Sequence, residues 1–230
     1  MAKLVPTKES YALFHNGMVA LAQVEAAGMR IDVDHLNQSS IEISEKIKQL
    51  EAKLRKDEVF TAWRRHFGDK ANLGSRVQLG HILFKVMGHR CRVKTATGRA
   101  KVDQRVLEQL DLPFVRTLIR MEKLKKLKST YLDGIRKEAI DGYLHPVINL
   151  HTVSSFRSSS SNPNAQNWPI RDPEQGKIIR SSFIPRKGRV LLELDLKQAE
   201  VSIAACYNKD PVLLEYLLDP TKDMHRDQAC

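Results

Sequence analysis

The sequence predicts an α+β protein in which a long helical part precedes a smaller part with short strands. Apolar residues recur at helical spacing through most of the chain before residue 139. Short apolar runs bounded by turn residues, which are typical of strands, begin only after Asp141. Helices and strands that are segregated along the chain in this way are typical of an α+β architecture.

Two helices are predicted near the N-terminus. Residues 8–27 carry apolar side chains at helical spacing, and Gly28 is expected to end that helix. After a short extended piece, Asp32 or Asp34 is the candidate cap of a longer helix over residues 35–56. The polar faces of the longer helix carry both signs of charge, so we expect them to be solvated.

Two further helix starts are predicted before residue 110. Ser75 follows turn residues and precedes an apolar pattern, so it is the candidate cap of the next helix. Residues 94–101 are polar and contain a glycine, which predicts an exposed loop or hairpin. Another helix is expected to begin near Asp103.

The most basic helix is predicted over residues 113–139. As far as Lys128 it carries six cations against one carboxylate, Glu122. A solvated face normally mixes both signs, so this density favours contact with phosphate groups. The six cations are Arg116, Arg120, Lys123, Lys125, Lys126 and Lys128.

A polar stretch over residues 153–172 allows two interpretations. Its run of serines at 158–161 is by composition typical of a flexible linker. Amide side chains, a tryptophan and an arginine follow at once, and amides and guanidinium groups contact minor-groove acceptors and sugar–phosphate edges. We therefore favour a nucleic-acid-binding segment over a linker.

The run at residues 190–194 predicts a short buried strand, and a helical pattern begins at Ala199. Asp195 lies between the two. A carboxylate held at the end of a buried strand suits Mg²⁺, which prefers hard oxygen ligands. The alternative is that Asp195 only caps the following helix, and residues 190–200 taken alone favour that alternative.

Composition limits the class of partner and compartment. The formal net charge of +11 indicates a polyanionic partner, most simply nucleic acid, with an acidic membrane surface second. No apolar run approaches the roughly 20 residues that span a bilayer, and no apolar signal core is visible. The three cysteines are far apart and the histidines lack ligand spacing, so neither disulfides nor a zinc site is predicted. We expect the cytoplasm of a bacterium or phage-infected host, or an organellar matrix, and no secretion.

Five segments in order resemble motifs of the family A DNA polymerases, the DNA polymerase I type. Residues 155–171 (SFRSSSSNPNAQNWPIR) resemble its TGR-x-SSS-x-PN-x-QN-x-P-x-R segment, and residues 195–200 (DLKQAE) resemble its first catalytic motif, D-Y-S-Q-I-E. Residues 72–79 (NLGSRVQL) and 126–133 (KLKSTYLD) resemble thumb segments, and residues 223–225 (DMH) resemble the D-I-H that opens the fingers. Five ordered matches by chance are very improbable.

The resemblance implies a helical thumb followed by an incomplete palm with a small antiparallel sheet. Residues 1–29 would form a helix that leads into the polymerase region, and residues 30–140 would form the thumb. Residues 141–230 would form a partial palm with the first catalytic motif and the start of the fingers.

The resemblance also implies residue roles in nucleotidyl transfer. Asp195 would bind both Mg²⁺ ions of a two-metal site, helped by the backbone carbonyl of Leu196, and the second carboxylate would lie outside this chain. Gln198 and Glu200 would lie at the sugar of the deoxynucleoside triphosphate, and His225 at its triphosphate. Contacts with primer–template DNA are implied for Lys126, Lys128, Arg157, Asn164, Gln166, Asn167 and Arg171.

The chain departs from the family pattern at several positions. Ser155-Phe156 stands where the family has Thr-Gly, and Leu196-Lys197 replaces the tyrosine and the small residue after the catalytic aspartate. Ser202 stands where an arginine is expected. These differences are typical of a divergent, phage-type member, and they leave fidelity and sugar selection open.

Three hypotheses follow from a sequence that ends at Cys230, in the first fingers helix of the family. The first is the N-terminal half of a split polymerase, inactive alone and completed by a second polypeptide with the fingers and remaining palm. The second is a non-catalytic duplex DNA-binding module derived from a polymerase. The third is an incomplete stretch of a longer protein. Primer–template DNA and deoxynucleoside triphosphates are the expected partners of the first hypothesis, without a membrane.

Overall fold

The computed structural model of the chain describes a defined set of residue ranges. They are 7–91, 93–95, 100–155, 157–169, 172–196, 198–219 and 221–227, with the backbone but not the side chain of His225. Two units divide the chain, residues 1–186 and residues 187–230. None of the helices in the described ranges combines the length and the apolar character that crossing a bilayer requires.

The first unit is mostly helical. Its α-helices are α1 (Lys8–Ala27), α2 (Val33–Arg55), α3 (Glu58–Phe67), α4 (Arg76–His81), α5 (Gln104–Glu108), α6 (Pro113–Lys126), α7 (Asp133–Glu138) and α8 (Pro173–Arg180). A 3₁₀ turn at Gly68–Lys70 follows α3, and π-helical stretches at Ile82–Val86 and Leu127–Leu132 continue α4 and α6.

Helix ends lie where their capping residues predict them. Gly28 ends α1 at a φ of 65°, a conformation that glycine adopts without steric cost. The carboxylate of Asp32, rather than that of Asp34, caps α2 by accepting the amide hydrogen three residues on. Ser75 and Asp103 cap α4 and α5 in the same way. These local hydrogen bonds satisfy amides that have no partner within the helix.

The sequence pattern predicted one continuous basic helix over residues 113–139, and the structure shows that this prediction is wrong. The basic region consists of α6, the π-helical stretch at Leu127–Leu132 and α7, and Ala139 already belongs to a strand. A π-helical stretch shifts the hydrogen bonding from i+4 to i+5, which a pattern with a period of 3.6 residues does not reveal.

Two small antiparallel sheets lie in the first unit and confirm the predicted α+β class. The three-stranded sheet has the order β1 (Met29–Arg30), β3 (Tyr143–Leu144) and β2 (Ala139–Ile140). The second sheet pairs β4 (Val147–Asn149) with β5 (Ser159–Ser161), and Ser160 lies opposite Ile148. The serine run is therefore a paired strand, and the linker interpretation of it is wrong.

Two apolar clusters form the core of the first unit. The first surrounds Trp63 of α3, which is fully buried, and includes side chains from α4, α5 and α6. The second joins α2 to the Leu127–Leu132 stretch, α7, β3 and α8. Because α6 contributes Leu118 to the first cluster and Leu124 to the second, this helix connects both.

The second unit contains α9 (Ala199–Asn208), α10 (Pro211–Leu218) and α11 (Met224–Asp227). The buried strand predicted at residues 190–194 is wrong. Val190 is 86% exposed and Leu194 is 85% exposed, and no described residue pairs with this segment as a strand. A strand needs a neighbouring strand to satisfy its backbone and cover its side chains, and the described residues supply none here.

Candidate functional site

The residues that resemble the first catalytic motif of the family lie just before α9 and in its first turn. Asp195 and Leu196 are both exposed. Gln198 occupies the N-cap position of α9 in a left-handed conformation, with a φ of 54°, and Glu200 lies in the first turn. Asp195 therefore does not cap α9, and the cap interpretation is wrong. His225 belongs to α11, and its side chain lies outside the described residues.

The oxygen atoms at Asp195 match part of a magnesium site. A carboxylate and a backbone carbonyl are both hard ligands of the kind that Mg²⁺ takes. Within the described ranges, however, no group of three or more His, Cys, Asp or Glu residues could hold a metal ion. Asp195 with the carbonyl of Leu196 fits a portion of such a site, and the remaining ligands are not among the described side chains.

The segment that follows β5 forms a hydrogen-bonded turn. The Ser160 hydroxyl, which is buried, donates to the carbonyl oxygen of Pro163 at 3.3 Å and accepts the amide hydrogen of Ala165 at 3.2 Å. The side-chain oxygen of Asn164 accepts the amide hydrogen of Gln166 at 3.2 Å. The peptide bond before Pro163 is cis. We call residues 162–167 the amide turn.

The amide turn presents three exposed amide side chains, those of Asn164, Gln166 and Asn167. Gln166 Nε2 donates to the Ser158 hydroxyl at 2.8 Å, which orients this side chain along β5. Arg157, immediately before the strand, is exposed as well. Arg171, the remaining predicted contact of this segment, lies outside the described residues. Amides on a rigid turn can donate to and accept from the edges of bases.

The amide turn is joined to the KLKSTY segment. The Tyr131 hydroxyl donates to the carbonyl oxygen of Asn167 at 3.5 Å. The next residue, Trp168, stacks on Phe183 with ring centroids 4.4 Å apart and packs with Tyr131 against the second apolar cluster. The contact between Tyr131 and Asn167, which are 36 positions apart in the sequence, therefore joins the two motifs in the first unit.

Acidic side chains from other segments pair with cations of α6 and of the π-helical stretch that follows it. Asp111 pairs with Arg116, Glu51 lies 3.8 Å from Lys125, and Asp133 lies 2.7 Å from Lys128. A charge count within the helix could not reveal these partners, because they come from outside the counted residues. Cations without an ion-pair partner in the described part of the chain remain on α6, and they are Arg120, Lys123 and Lys126.

Lys128 belongs to a hydrogen-bonded group rather than to an open cationic surface. Asp133 accepts from Lys128 Nζ at 2.7 Å and from the Ser40 hydroxyl at 3.1 Å. Partial burial acts to raise the pKa of Asp133, but the hydrogen bonds from Lys128 and Ser40 outweigh it and leave that pKa below its ordinary value. The group ties α2 to the helix that follows α6.

Glu122, the single acid of the basic stretch, forms an ion pair with Arg76 of α4. Burial raises the pKa of Glu122, and the nearby Arg76 and Lys125 only partly offset that effect. The Nη1 atom of Arg76 is buried without a hydrogen-bond partner in the described residues. The ion pair is therefore partly removed from water, and the cost of dehydrating its charges offsets much of its contribution to the stability of the fold.

Gln78 has a structural role that sequence reasoning did not assign to it. Its Oε1 accepts from Trp63 Nε1 at 2.8 Å and from the amide of Asn72 at 2.9 Å, and its Nε2 donates to the carbonyl of Lys70 at 3.0 Å. The signal in the sequence is a glutamine directly before a buried apolar position, Leu79, inside the NLGSRVQL segment.

The comparisons with known proteins identify the family. The sequence model of DNA polymerase family A matches residues 33–230, so the chain belongs to this family. The chain is 37% identical over 214 residues to the thermostable DNA polymerase I of Thermus aquaticus. The aligned region covers 91% of this chain and 24% of that protein. It is also 37% identical over 212 residues to the DNA polymerase I of Synechocystis, covering 89% of this chain and 20% of that protein.

A solved structure shows the same relationship at the level of the fold. The POL domain of Pol1 from M. smegmatis, in complex with DNA primer-template and dNTP, superposes with a TM-score of 0.69 at 32% identity. The match covers 85% of this chain and 33% of the other. The present chain thus spans about a quarter of the length of its curated relatives and a third of that polymerase domain.

Proposed function

We propose that this chain supplies the thumb, the minor-groove contacts and the first metal-binding carboxylate for template-directed DNA synthesis. The observation that carries the proposal is the joined surface of the amide turn and the KLKSTY segment, in a chain that matches the polymerase family over residues 33–230. Residues 30–140 are proposed as the thumb and residues 141–230 as the partial palm. Primer–template DNA and a deoxynucleoside triphosphate are the proposed ligands, in line with those bound by the M. smegmatis relative.

In this proposal the amide turn follows the minor groove of the primer–template duplex. The side chains of Asn164, Gln166 and Asn167 contact base and sugar edges there, and Arg157 and Arg171 contact the backbone. Minor-groove acceptors are nearly the same for all base pairs, so amide contacts suit an enzyme that copies any sequence. Lys126, which is exposed and has no ion-pair partner in the described chain, contacts a phosphate. Lys128 reaches the duplex only if it gives up part of its bond with Asp133.

Asp195 and the carbonyl of Leu196 are proposed as ligands of Mg²⁺. Bound Mg²⁺ ions would stabilise the charge that develops on the attacking and leaving oxygens of phosphoryl transfer. Gln198 and Glu200 then position the sugar of the incoming nucleotide at the start of α9, and His225 contacts its triphosphate. Because one carboxylate cannot hold a two-metal site, the second carboxylate and the fingers come from a second polypeptide or from further residues of the protein.

Primer extension tests this assignment. The 230-residue chain is incubated with primer–template, Mg²⁺ and deoxynucleotides, with Asp195→Ala as the control variant. We expect the chain alone to bind the duplex without extending the primer. Extension should occur only after a polypeptide that carries the fingers and the second metal-binding carboxylate is added. Extension by the chain alone that Asp195→Ala abolishes would contradict the need for a second carboxylate from elsewhere. Absence of duplex binding would contradict the assignment of the first unit.

A second candidate function is a duplex-binding module without catalysis. It is favoured by the cations of α6 that lack ion-pair partners in the described part of the chain, Arg120, Lys123 and Lys126. This candidate requires salt-sensitive duplex binding that is unaffected by Asp195→Ala and by Mg²⁺, together with no extension even when the fingers and second palm half are supplied.

A further inference from the structure

The last turn of α1 is attached to the residues around β4 through its backbone and through one side chain. The Nδ1 atom of His145 donates to the backbone carbonyl oxygen of Glu25 at 2.7 Å. The carboxylate of Glu25 accepts the amide hydrogen of Ile148, in the middle of β4. Gly28 leaves room for the imidazole, because a Cβ atom at position 28 would lie 2.6 Å from the Cε1 atom of His145. These contacts fix β4 relative to α1.

Arg186 adds to the support at this end of α1. Its Nη2 atom donates to the carbonyl oxygens of Ala27 and Gly28, and its guanidinium lies 5.2 Å from the ring centre of Tyr143. Carbonyl groups at the C-terminal end of a helix have no partner within the helix, so a cation there is favourable. The turn that carries Glu25 is therefore held on several sides.

The position of β4 in turn sets the position of β5. The two strands form a two-stranded sheet in which Ile148 lies opposite Ser160. Glu25 holds an amide at the edge of β4 that faces α1, whereas β5 pairs along the other edge. Because a two-stranded sheet is at best marginally stable alone, this pair needs support from outside. The contact with Glu25 supplies part of that support.

Ser160 connects the sheet to the amide turn. Its hydroxyl donates to the carbonyl oxygen of Pro163 and accepts the amide hydrogen of Ala165. A series of direct contacts thus leads from the carboxylate of Glu25 through Ile148 and Ser160 into the turn. None of these contacts uses a side chain that the proposed function places on the duplex.

We propose that Glu25 is a positioning residue for the amide turn. Through Ile148 and Ser160 it holds the side chains of Asn164 and Gln166 in the orientation that suits the minor groove. The inference rests on the proposed function for its ligand, but the connection between Glu25 and the turn does not. A carboxylate repels phosphate groups, so Glu25 assists duplex binding through geometry and not through its charge.

Binding of a labelled primer–template duplex to the 230-residue chain tests the proposal with two variants of one position. Glu25→Ala and Glu25→Gln both remove one negative charge, which by itself favours binding of a polyanion. Glutamine keeps an oxygen that can accept the amide hydrogen of Ile148, whereas alanine does not. Alanine is also the stronger helix former, so α1 is not weakened by its propensity.

We expect Glu25→Ala to weaken duplex binding by about threefold to tenfold, the effect of one lost hydrogen bond to a charged acceptor. Glu25→Gln should bind within about twofold of the wild type. Wild-type affinity in Glu25→Ala would overturn the proposal. Equal losses in both variants would overturn it as well, because the acceptor for Ile148 would then be irrelevant.

A combination of substitutions shows whether Glu25 acts through the turn. In Asn164→Ala/Gln166→Ala the proposed contacts are already absent, so the addition of Glu25→Ala should change duplex affinity by less than about twofold. A full additional loss would show that Glu25 acts elsewhere, and the proposal would be wrong. Ile43→Val, in the buried part of α2, is the control for a general loss of stability and should keep wild-type affinity. An equal loss of affinity in this control would also overturn the proposal.

Hydrogen exchange separates the positioning of the turn from the proposed function. The amide of Ala165 should exchange at least about threefold faster in Glu25→Ala than in Glu25→Gln, while the amide of Trp63 in α3 keeps its rate. Equal exchange of Ala165 in both variants would overturn the positioning role. If the wild-type chain does not bind the duplex, the proposed function fails, and the exchange of Ala165 alone decides whether Glu25 positions the turn.

Discussion

At the scale of single residues, one glutamine holds together parts of the first unit that are distant in sequence. Gln78 accepts from Trp63 and from the Asn72 amide and donates to Lys70. Since Trp63 is fully buried, its indole N–H cannot turn to water if the acceptor is removed. Gln78 therefore joins α3, the loop after it and α4.

Gln78→Ala is expected to lower the free energy of unfolding by about 1–3 kcal/mol, because it leaves the buried indole N–H of Trp63 without an acceptor. Urea denaturation followed by circular dichroism measures the effect. The control is Gln38→Ala on α2, where the exposed side chain has a single bond with Glu42 at 2.9 Å. We expect that control to change stability by less than about 0.5 kcal/mol. Equal effects would show that the hydrogen bonds of Gln78 are not structural.

Two carboxylates should give pH dependences of opposite sign. Because the folded state lowers the pKa of Asp133, the ionised carboxylate stabilises the fold at pH values above its ordinary pKa of 3.8. This contribution is lost as the pH falls through the lowered pKa. Because the folded state raises the pKa of Glu122, the protonated carboxyl group stabilises the fold at pH values below its ordinary pKa of 4.5. This contribution is lost as the pH rises through the raised pKa.

The measurement is urea denaturation of the wild type, Asp133→Asn and Glu122→Gln between about pH 3 and pH 7. On acidification, the stability advantage of the wild type over Asp133→Asn should shrink, by up to about 1 kcal/mol for a pair that is only partly buried. The stability of the wild type relative to Glu122→Gln should rise on acidification. Parallel pH curves for all three proteins would contradict both assignments.

At the scale of elements, α4 is fitted closely to the segment that crosses it. A methyl group at Gly80 would meet Val102 at 2.6 Å, whereas a methyl group at Gly134 of α7 would meet nothing within 4 Å. Gly80→Ala should destabilise the fold by about 1–3 kcal/mol through overpacking. Gly134→Ala should be neutral or stabilise by up to about 1 kcal/mol, because alanine favours the helix. Thermal melting of both variants checks this, and similar shifts for both would contradict the close fit.

The amide turn should depend on the buried hydroxyl that holds it. Ser160→Ala removes the acceptor of the Ala165 amide and the donor to Pro163. We expect faster hydrogen exchange at Ala165, by about fivefold to tenfold for a bond of about 1 kcal/mol, with little change in α2. Ser154→Ala is the control, because Ser154 is exposed and its hydroxyl has no hydrogen bond in the described residues. Unchanged exchange at Ala165 in Ser160→Ala would show that the turn does not need its hydroxyl.

Local signals were the most predictable part of the fold. Gly28, Asp32, Ser75 and Asp103 mark helix ends through contacts with their sequence neighbours, and these ends were correctly predicted. The strand at residues 190–194 was wrongly predicted, because burial depends on a pairing partner that a periodic pattern does not contain. The ion pair of Lys125 on α6 could not be foreseen for a similar reason, since its partner Glu51 belongs to α2. Among the site residues, the turn around Asn164 depends on Ser160, whose burial the sequence does not reveal.

At the scale of the whole molecule, the two units should differ in their resistance to proteolysis. The segment at residues 190–196 combines exposed leucines with a backbone that belongs to no helix and has no strand partner in the described chain. A protease that cleaves beside large apolar residues should therefore cut there first and leave a resistant fragment that contains the first unit. Mass spectrometry of timed digests identifies the cuts. First cleavage within α2 or α6 would contradict the division into units.

The two tryptophans of the chain are distributed between its two apolar clusters. Trp63 is fully buried in the first cluster, and Trp168, stacked on Phe183, packs against the second. Each cluster thus carries its own intrinsic fluorophore, in surroundings of different polarity. Trp168→Phe isolates the emission of the first cluster and Trp63→Phe that of the second, so that steady-state fluorescence can follow the loosening of either cluster without an added label.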